Sequence, residues 1–170
     1  MKRLTILRHA KSNCDQPLDD FDRPLNERGW KAARRVGKEL KRRRMRFDFG
    51  LASPAARVRE TIDGIIETYG EPIFPIRFEP RLYLASTDIL LELIRAIPDN
   101  ANSALIVGHN PGLHALVLLL TREGGGLRRA VADNLPTAAV AEVEFRAGHW
   151  RELEPGSGEL SALILPRALD

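Results

Sequence analysis

Apolar residues along this chain alternate between short continuous runs and longer stretches of helical period. The runs at 3–9, 49–52, 73–78 and 103–107 are rich in Ile, Val, Leu and Phe and are bounded by turn residues. That is the pattern of strands buried in a parallel sheet. Pro75 cannot donate to a ladder, which places the third strand near a sheet edge. Between the first two runs, Trp30, Ala33, Val36, Gly37, Leu40 and Met45 approximate helical spacing. Asn26 is a good N-cap for that helix, and Glu27 suits its first turn. Ser53-Pro54 predicts a second helix, with serine capping and proline in the first turn, continuing to Tyr69 and stopped by Gly70. A third helix is predicted over 88–97, capped by Ser86 or Thr87 and ended before Pro98. Asn110-Pro111 repeats the cap-then-proline start and opens a helix through Thr121.

Gly124-Gly125-Gly126 marks a turn, and 127–135 reads as a short helix or loop. Residues 138–145 set Val140, Val143 and Phe145 against Glu142 and Glu144, the alternation of a half-buried strand. Gly148 then turns the chain into 149–153 as the partner of an antiparallel hairpin, and 160–165 adds a last extended segment. The order βαβαβαβαββ predicts an α/β fold, a three-layer α/β/α sandwich with a mostly parallel central sheet and an antiparallel C-terminal hairpin. At 170 residues with 44% apolar content, one domain over 1–170 with one sizeable core is expected.

Charge changes this picture little. The net charge is +3 and the sequence pI about 9.3, with much of the basicity in Lys38, Lys41, Arg42, Arg43, Arg44 and Arg46. Cations suit a helix C-terminus. The run Lys41 to Arg46 lacks interleaved aromatics and any recognisable binding motif, which argues against a nucleic-acid partner. The lone cysteine, Cys14, excludes an intramolecular disulfide and a multi-cysteine metal site. Arg8-His9 interrupts the apolar run from Leu4, so no signal segment is read. The stretch 113–120 is too short to span a bilayer. A soluble, cytoplasmic protein with no membrane partner is expected.

The candidate chemistry lies at strand ends. Leu7-Arg8-His9-Ala10 closes the first run, and Val107-Gly108-His109-Asn110-Pro111 closes the fourth. In open α/β sheets ligands bind beyond the carboxyl ends of strands, where the strand order reverses. Arg57 falls in the first turn of the helix that Ser53-Pro54 begins and points over the second strand's end. Helix N-termini attract anions, and arginine forks grip phosphate oxygens in bidentate fashion. Arg8, His9, Arg57 and His109 together suggest a receptor for phosphate or carboxylate. Histidine adds a nucleophile that can form a covalent phosphohistidine, with protein cations in place of a metal or other cofactor. Ser12 and Asn13 either line the phosphate entrance or cap the loop. His114 and His149 read as packing or surface groups, Trp30 and Trp150 as packing.

Leu7-Arg8-His9-Ala10-Lys11-Ser12 resembles the Arg-His-Gly signature of the histidine phosphatase superfamily, which includes cofactor-dependent phosphoglycerate mutases. Ser53-Pro54-Ala55-Ala56-Arg57-Val58-Arg59-Glu60-Thr61 resembles its second block, Val107-Gly108-His109-Asn110-Pro111 its third, and Pro24-Leu25-Asn26-Glu27-Arg28-Gly29 the segment opening its first helix. The blocks stand in the family's order and cover most of the chain, and the resemblance is closest to short, SixA-type phosphohistidine phosphatases. It implies that His9 is the nucleophile and that Arg8, Arg57 and His109 complete the phosphate pocket. Ala10 stands where the family more usually has glycine. Mutases carry a longer insertion that covers the site and supplies an acid, whereas here only 80–102 fills that interval. Glu79 is the nearest candidate acid, with an exposed loop carboxylate as its other reading. A phosphohistidine nitrogen leaves more easily than an alkoxide, which normally needs protonation. The resemblance therefore implies a metal-independent phosphatase acting on phosphohistidine in a protein. A broad small-molecule phosphomonoesterase or mutase, and a non-catalytic phosphate-binding module, are the alternatives.

Overall fold

Six strands form one sheet in the computed structural model, which describes residues 1–13, 17–72 and 75–169. They are β1 (Lys2–Arg8), β2 (Phe49–Ala52), β3 (Ile76–Phe78), β4 (Ser103–Gly108), β5 (Val140–Phe145) and β6 (Glu159–Ile164). The strand order is β3-β2-β4-β1-β5-β6. The first four run parallel, β5 pairs antiparallel with β1, and β6 pairs antiparallel with β5. The helices are α1 (Glu27–Arg42), α2 (Ala56–Tyr69), α3 (Thr87–Arg95), α4 (Gly112–Leu120) and α5 (Gly126–Ala130).

Strand alternation sorts the core into two layers. Leu4 and Ile6 of β1, with Ala104 and Ile106 of β4, pack beneath α3 and α4. Leu7, Leu105 and Val107 face the other way, onto Ala33, Val36 and Leu40 of α1 and Val58, Ile62 and Ile65 of α2. The expected three-layer α/β architecture is therefore present. No helix among the described residues is long and apolar enough to cross a membrane.

Sequence patterning located most elements closely. Asn26 caps α1 by accepting the Gly29 N–H at 2.9 Å. Gly70 ends α2 in the left-handed conformation, φ 94°, and Ser86 caps α3. β3 is an edge strand, with the Pro75 carbonyl accepting from Gly50 N–H, while the expected start at Ile73 and Phe74 lies outside the described residues. Within the basic run, Arg42 and Arg43 both pair with Glu39, at 2.6 and 2.7 Å.

Two expectations fail. Residues 149–153 do not form the hairpin partner: Trp150–Glu152 is a 3-10 turn, and β6 takes the place beside β5. Trp150 is wholly buried and donates its indole N–H to the Ala101 carbonyl, so anchoring there outweighs strand propensity. Ser53 does not cap α2, which starts at Ala56 with no side-chain cap. Its hydroxyl is engaged elsewhere.

Gly29 shows how tightly α1 closes on the loop after β1. A Cβ there would stand 2.1 Å from the Lys11 carbonyl oxygen, which already accepts the Asn26 N–H. Helix propensity favours Gly29→Ala by about 1 kcal/mol, but the overlap costs about 1–3 kcal/mol and breaks that bond. Chemical denaturation of Gly29→Ala should therefore show a lowered midpoint rather than the usual gain.

Candidate active site

The connection leaving β1 runs through α1 to β2 on one side, and the connection leaving β4 runs through α4 and α5 to β5 on the other. The crevice between the carboxyl ends of β1 and β4 is thus a topological switch point. Register then decides what enters it. Arg8 lies opposite Gly108, so the next residues, His9 and His109, arrive side by side. Ala52 lies opposite Val107, which sets Ser53 level with Gly108 and within reach of the His109 ring. His9 is pinned by its own N–H to the Gly108 carbonyl and by its carbonyl to the Ala138 N–H.

The side chains converge as the strand ends require. The His9 and His109 ring centroids are 5.3 Å apart. Arg57, 2% exposed, reaches between them: its Nε donates to His9 Nε2 at 3.4 Å and its Nη2 to His109 Nδ1 at 3.3 Å. Arg8 lines the same cavity of about 380 Å³ and donates Nη1 to the Leu135 carbonyl. All four residues singled out from the sequence therefore meet in one place, and Ser12 also lines the cavity.

The partners fix both tautomers. The Ala10 carbonyl, 2.7 Å from His9 Nδ1, can only accept, so Nδ1 carries the proton and Nε2 presents a lone pair to Arg57 and the cavity. Arginine can only donate, so His109 Nδ1 accepts and its Nε2–H donates to Ser53 Oγ at 2.8 Å. This is where the Ser53 hydroxyl goes in place of capping α2. Thr61 ties the frame together, accepting the Ala10 N–H and donating to the Arg57 carbonyl.

Burial lowers the His9 pKa to about 4; the bond to the Ala10 carbonyl opposes this, and Arg57, Arg8 and Arg23 push it further down. Burial also lowers His109 to about 3, helped by Arg57 and His9. Both rings stay neutral where an ordinary imidazole, at 6.5, would charge. The unfolded chain binds protons that the folded rings refuse. Their contribution to stability is therefore complete above pH 6.5 and lost as pH falls toward 4 for His9 and toward 3 for His109. Denaturation at stepped pH should show a decline on the order of a few kcal/mol across that window. Ring resonances of His9 and His109 should stay in the neutral position at pH 5.5.

Three groups at the cavity were not legible in the sequence. Asp20 sits in a 3-10 turn, Asp20–Asp22, and accepts from Arg57 Nη2 at 3.0 Å while its carbonyl accepts Nη1 at 2.7 Å. It also accepts from the Tyr83 hydroxyl and pairs with Arg23 at 3.0 Å. The Tyr83 bond, followed by Arg57, holds the Asp20 carboxyl below the usual range. The Nε atoms of Arg8 and Arg23 are buried without a hydrogen-bond partner among the described residues. Unsatisfied buried donors are costly, and both arginines line the cavity, so an anion bound there would satisfy them. Glu79 is not brought to the cavity: its carboxylate accepts from the Arg81 N–H and pairs with Arg77. His114 bonds the Val131 carbonyl and His149 bonds Asp99, as packing and surface groups. Cys14 lies outside the described residues. Among those residues no cluster of His, Cys, Asp or Glu could hold a metal ion.

Known proteins resemble this chain in sequence and fold. The model of the histidine phosphatase superfamily (branch 1) matches residues 4–83. An uncharacterized protein of Mycobacterium tuberculosis is 34% identical over 166 residues, covering 95% of this chain and all of the relative. One of Mycobacterium leprae is 34% identical over 167 residues with the same coverage. The crystal structure of a candidate phosphohistidine phosphatase SixA from Agrobacterium tumefaciens superposes with a TM-score of 0.80 at 30% identity, covering 97% of this chain and 98% of that one. A candidate SixA from Nakamurella multipartitia gives 0.84 at 26% identity, covering 97% and 96%.

Proposed function

Because the chain belongs to the histidine phosphatase superfamily and is a phosphatase, we propose that it works through a phosphohistidine intermediate on His9 and takes phosphohistidine in a protein as substrate. The observation that carries this reading is the His9 ring: neutral, with Nδ1 tied to a carbonyl and Nε2 unprotonated and directed at the cavity and a buried guanidinium. A neutral imidazole in that state is a nucleophile at any pH above about 4.

In the first step Nε2 attacks phosphorus, and the bond from phosphorus to the substrate's nitrogen breaks. Arg57 and Arg8 neutralise and orient the equatorial oxygens, and His109 closes the pocket beside them, its ring held by Arg57 and Ser53. The departing imidazole leaves neutral when its other ring nitrogen carries a proton, so no enzyme acid is consumed. Water then attacks the phosphoryl group on His9, releasing inorganic phosphate with the water's protons and restoring the Nδ1–H ring.

The acid inventory supports the choice of substrate. Asp20 is held ionised by Tyr83 and Arg57, and Glu79 is engaged outside the cavity. An alkoxide leaving group normally needs a donor, and a phosphoramidate does not. Two measurements test the reading. Rapid quench with a labelled phosphodonor should place label on His9, and label elsewhere would overturn the intermediate. A phosphohistidine protein should be hydrolysed with higher kcat/KM than a panel of small phosphate esters, chelator present. Preference for the esters would make this a broad phosphomonoesterase instead.

A further inference from the structure

Beside the catalytic cavity runs a second, larger groove of about 520 Å³, sharing Lys11 and Thr137 with it. Four exposed cations line it: Lys11 from the loop after β1, Arg28 and Arg35 from α1, and Arg167 from the turn Pro166–Ala168. Among the described residues no carboxylate lines the groove, and none of these four side chains forms an ion pair or hydrogen bond. That contrasts with Arg42, Arg43 and Arg81, each paired with a glutamate. The floor is apolar and half-buried, made by Ala32, Pro136 and Leu165.

We propose that this groove seats an acidic polypeptide segment flanking the phosphorylated residue of a protein substrate. The inference deepens the reading of a phosphoprotein substrate given above and rests on it for the kinetic arm alone. Arg28, Ala32 and Arg35 follow the i, i+4, i+7 pattern and share one face of α1. Seven residues of helix rise about 10 Å, so the two cations are anchored at separate points along the groove. An extended chain advances about 3.3 Å per residue. Three or four residues therefore span the pair, with alternate side chains reaching the cations and the rest lying on the apolar floor. Lys11 stands at the junction, its carbonyl fixed by the Asn26 N–H and the close approach of Gly29, so groove and cavity keep one relative geometry. A chain lying in the groove would carry its phosphorylated side chain toward His9.

The test uses the double variant Arg28→Glu/Arg35→Glu, both exposed and outside the catalytic cavity. A fluorescent, unphosphorylated peptide rich in glutamate should bind the native protein in a salt-sensitive manner and bind the variant at least tenfold more weakly. Phosphohistidine peptides with glutamate flanks should be hydrolysed with roughly tenfold higher kcat/KM than peptides with serine flanks. That preference should vanish in the variant, while kcat/KM for p-nitrophenyl phosphate stays unchanged. Equal peptide binding by both proteins would overturn the proposal, as would an equal loss on the small ester. So would pyrophosphate or an oligonucleotide binding this groove in preference to the peptide. If phosphohistidine is not hydrolysed yet variant-sensitive peptide binding persists, the groove stands and the substrate reading falls. If hydrolysis proceeds with no flank preference and no peptide binding, the groove falls alone.

Discussion

Replacing His9 with alanine should abolish turnover while leaving a folded protein that still binds phosphate. In the proposed mechanism the Nε2 of this imidazole is the nucleophile, whereas the Nε2–H of His109 is committed to Ser53. Loss of the nucleophile from a covalent mechanism lowers kcat by roughly four orders of magnitude or more, about 5 kcal/mol of barrier. The fold should survive, because the bonds that set the loop run through the backbone: His9 N–H to Gly108, its carbonyl to Ala138, and Ala10 N–H to Thr61. Arg8 and Arg57 remain to hold an anion, so inorganic phosphate should still raise the melting temperature. Retention of more than about a hundredth of the native kcat would show that phosphorus does not pass through this nitrogen.

The legible and illegible parts of this chain separate by the range of the interaction. Local periodicity places the strands, and an α/β sheet delivers the ends of β1 and β4 to one edge, so His9 and His109 could be found from runs of Leu, Ile and Val alone. Arg57 was legible because it is three residues past Pro54 and so falls in the first turn of α2, although Ser53 does not cap that helix. The Ser53 hydroxyl answers to His109, fifty-six residues away, not to the start of its own helix. Asp20 illustrates the same limit more sharply. In the sequence it is one carboxylate in a loop with Asp19 and Asp22, and nothing local distinguishes it. Its role as partner of Arg57 and Tyr83 depends on contacts thirty-seven and sixty-three residues distant. The misplaced hairpin partner has the same origin. Trp150 has the pattern of a strand residue, but burial of its indole against Ala101 fixes a turn there, and the more weakly patterned 159–164 pairs with β5.

Arg57→Ala should produce the second large effect, and its form separates catalysis from architecture. One guanidinium touches both histidines and both the side chain and the backbone of Asp20. Removing a preorganised charge that stabilises a transition state costs about 2–4 kcal/mol, roughly a hundred- to a thousandfold in kcat. Arg57→Lys keeps the charge but loses the planar fork. A single ammonium cannot face His9, His109 and Asp20 together, so lysine should restore only part of the loss. Arg57 also helps hold both imidazoles neutral, after burial itself. Its removal should raise their pKa values toward 6.5 and carry the acid limb of kcat upward with them, visible by ring resonances and by the pH–rate profile. A merely structural arginine would lower the melting temperature without moving that limb. Full activity in Arg57→Lys, or an unshifted limb in Arg57→Ala, would remove Arg57 from the chemistry and leave it as a tie between α2 and the loop that carries Asp20.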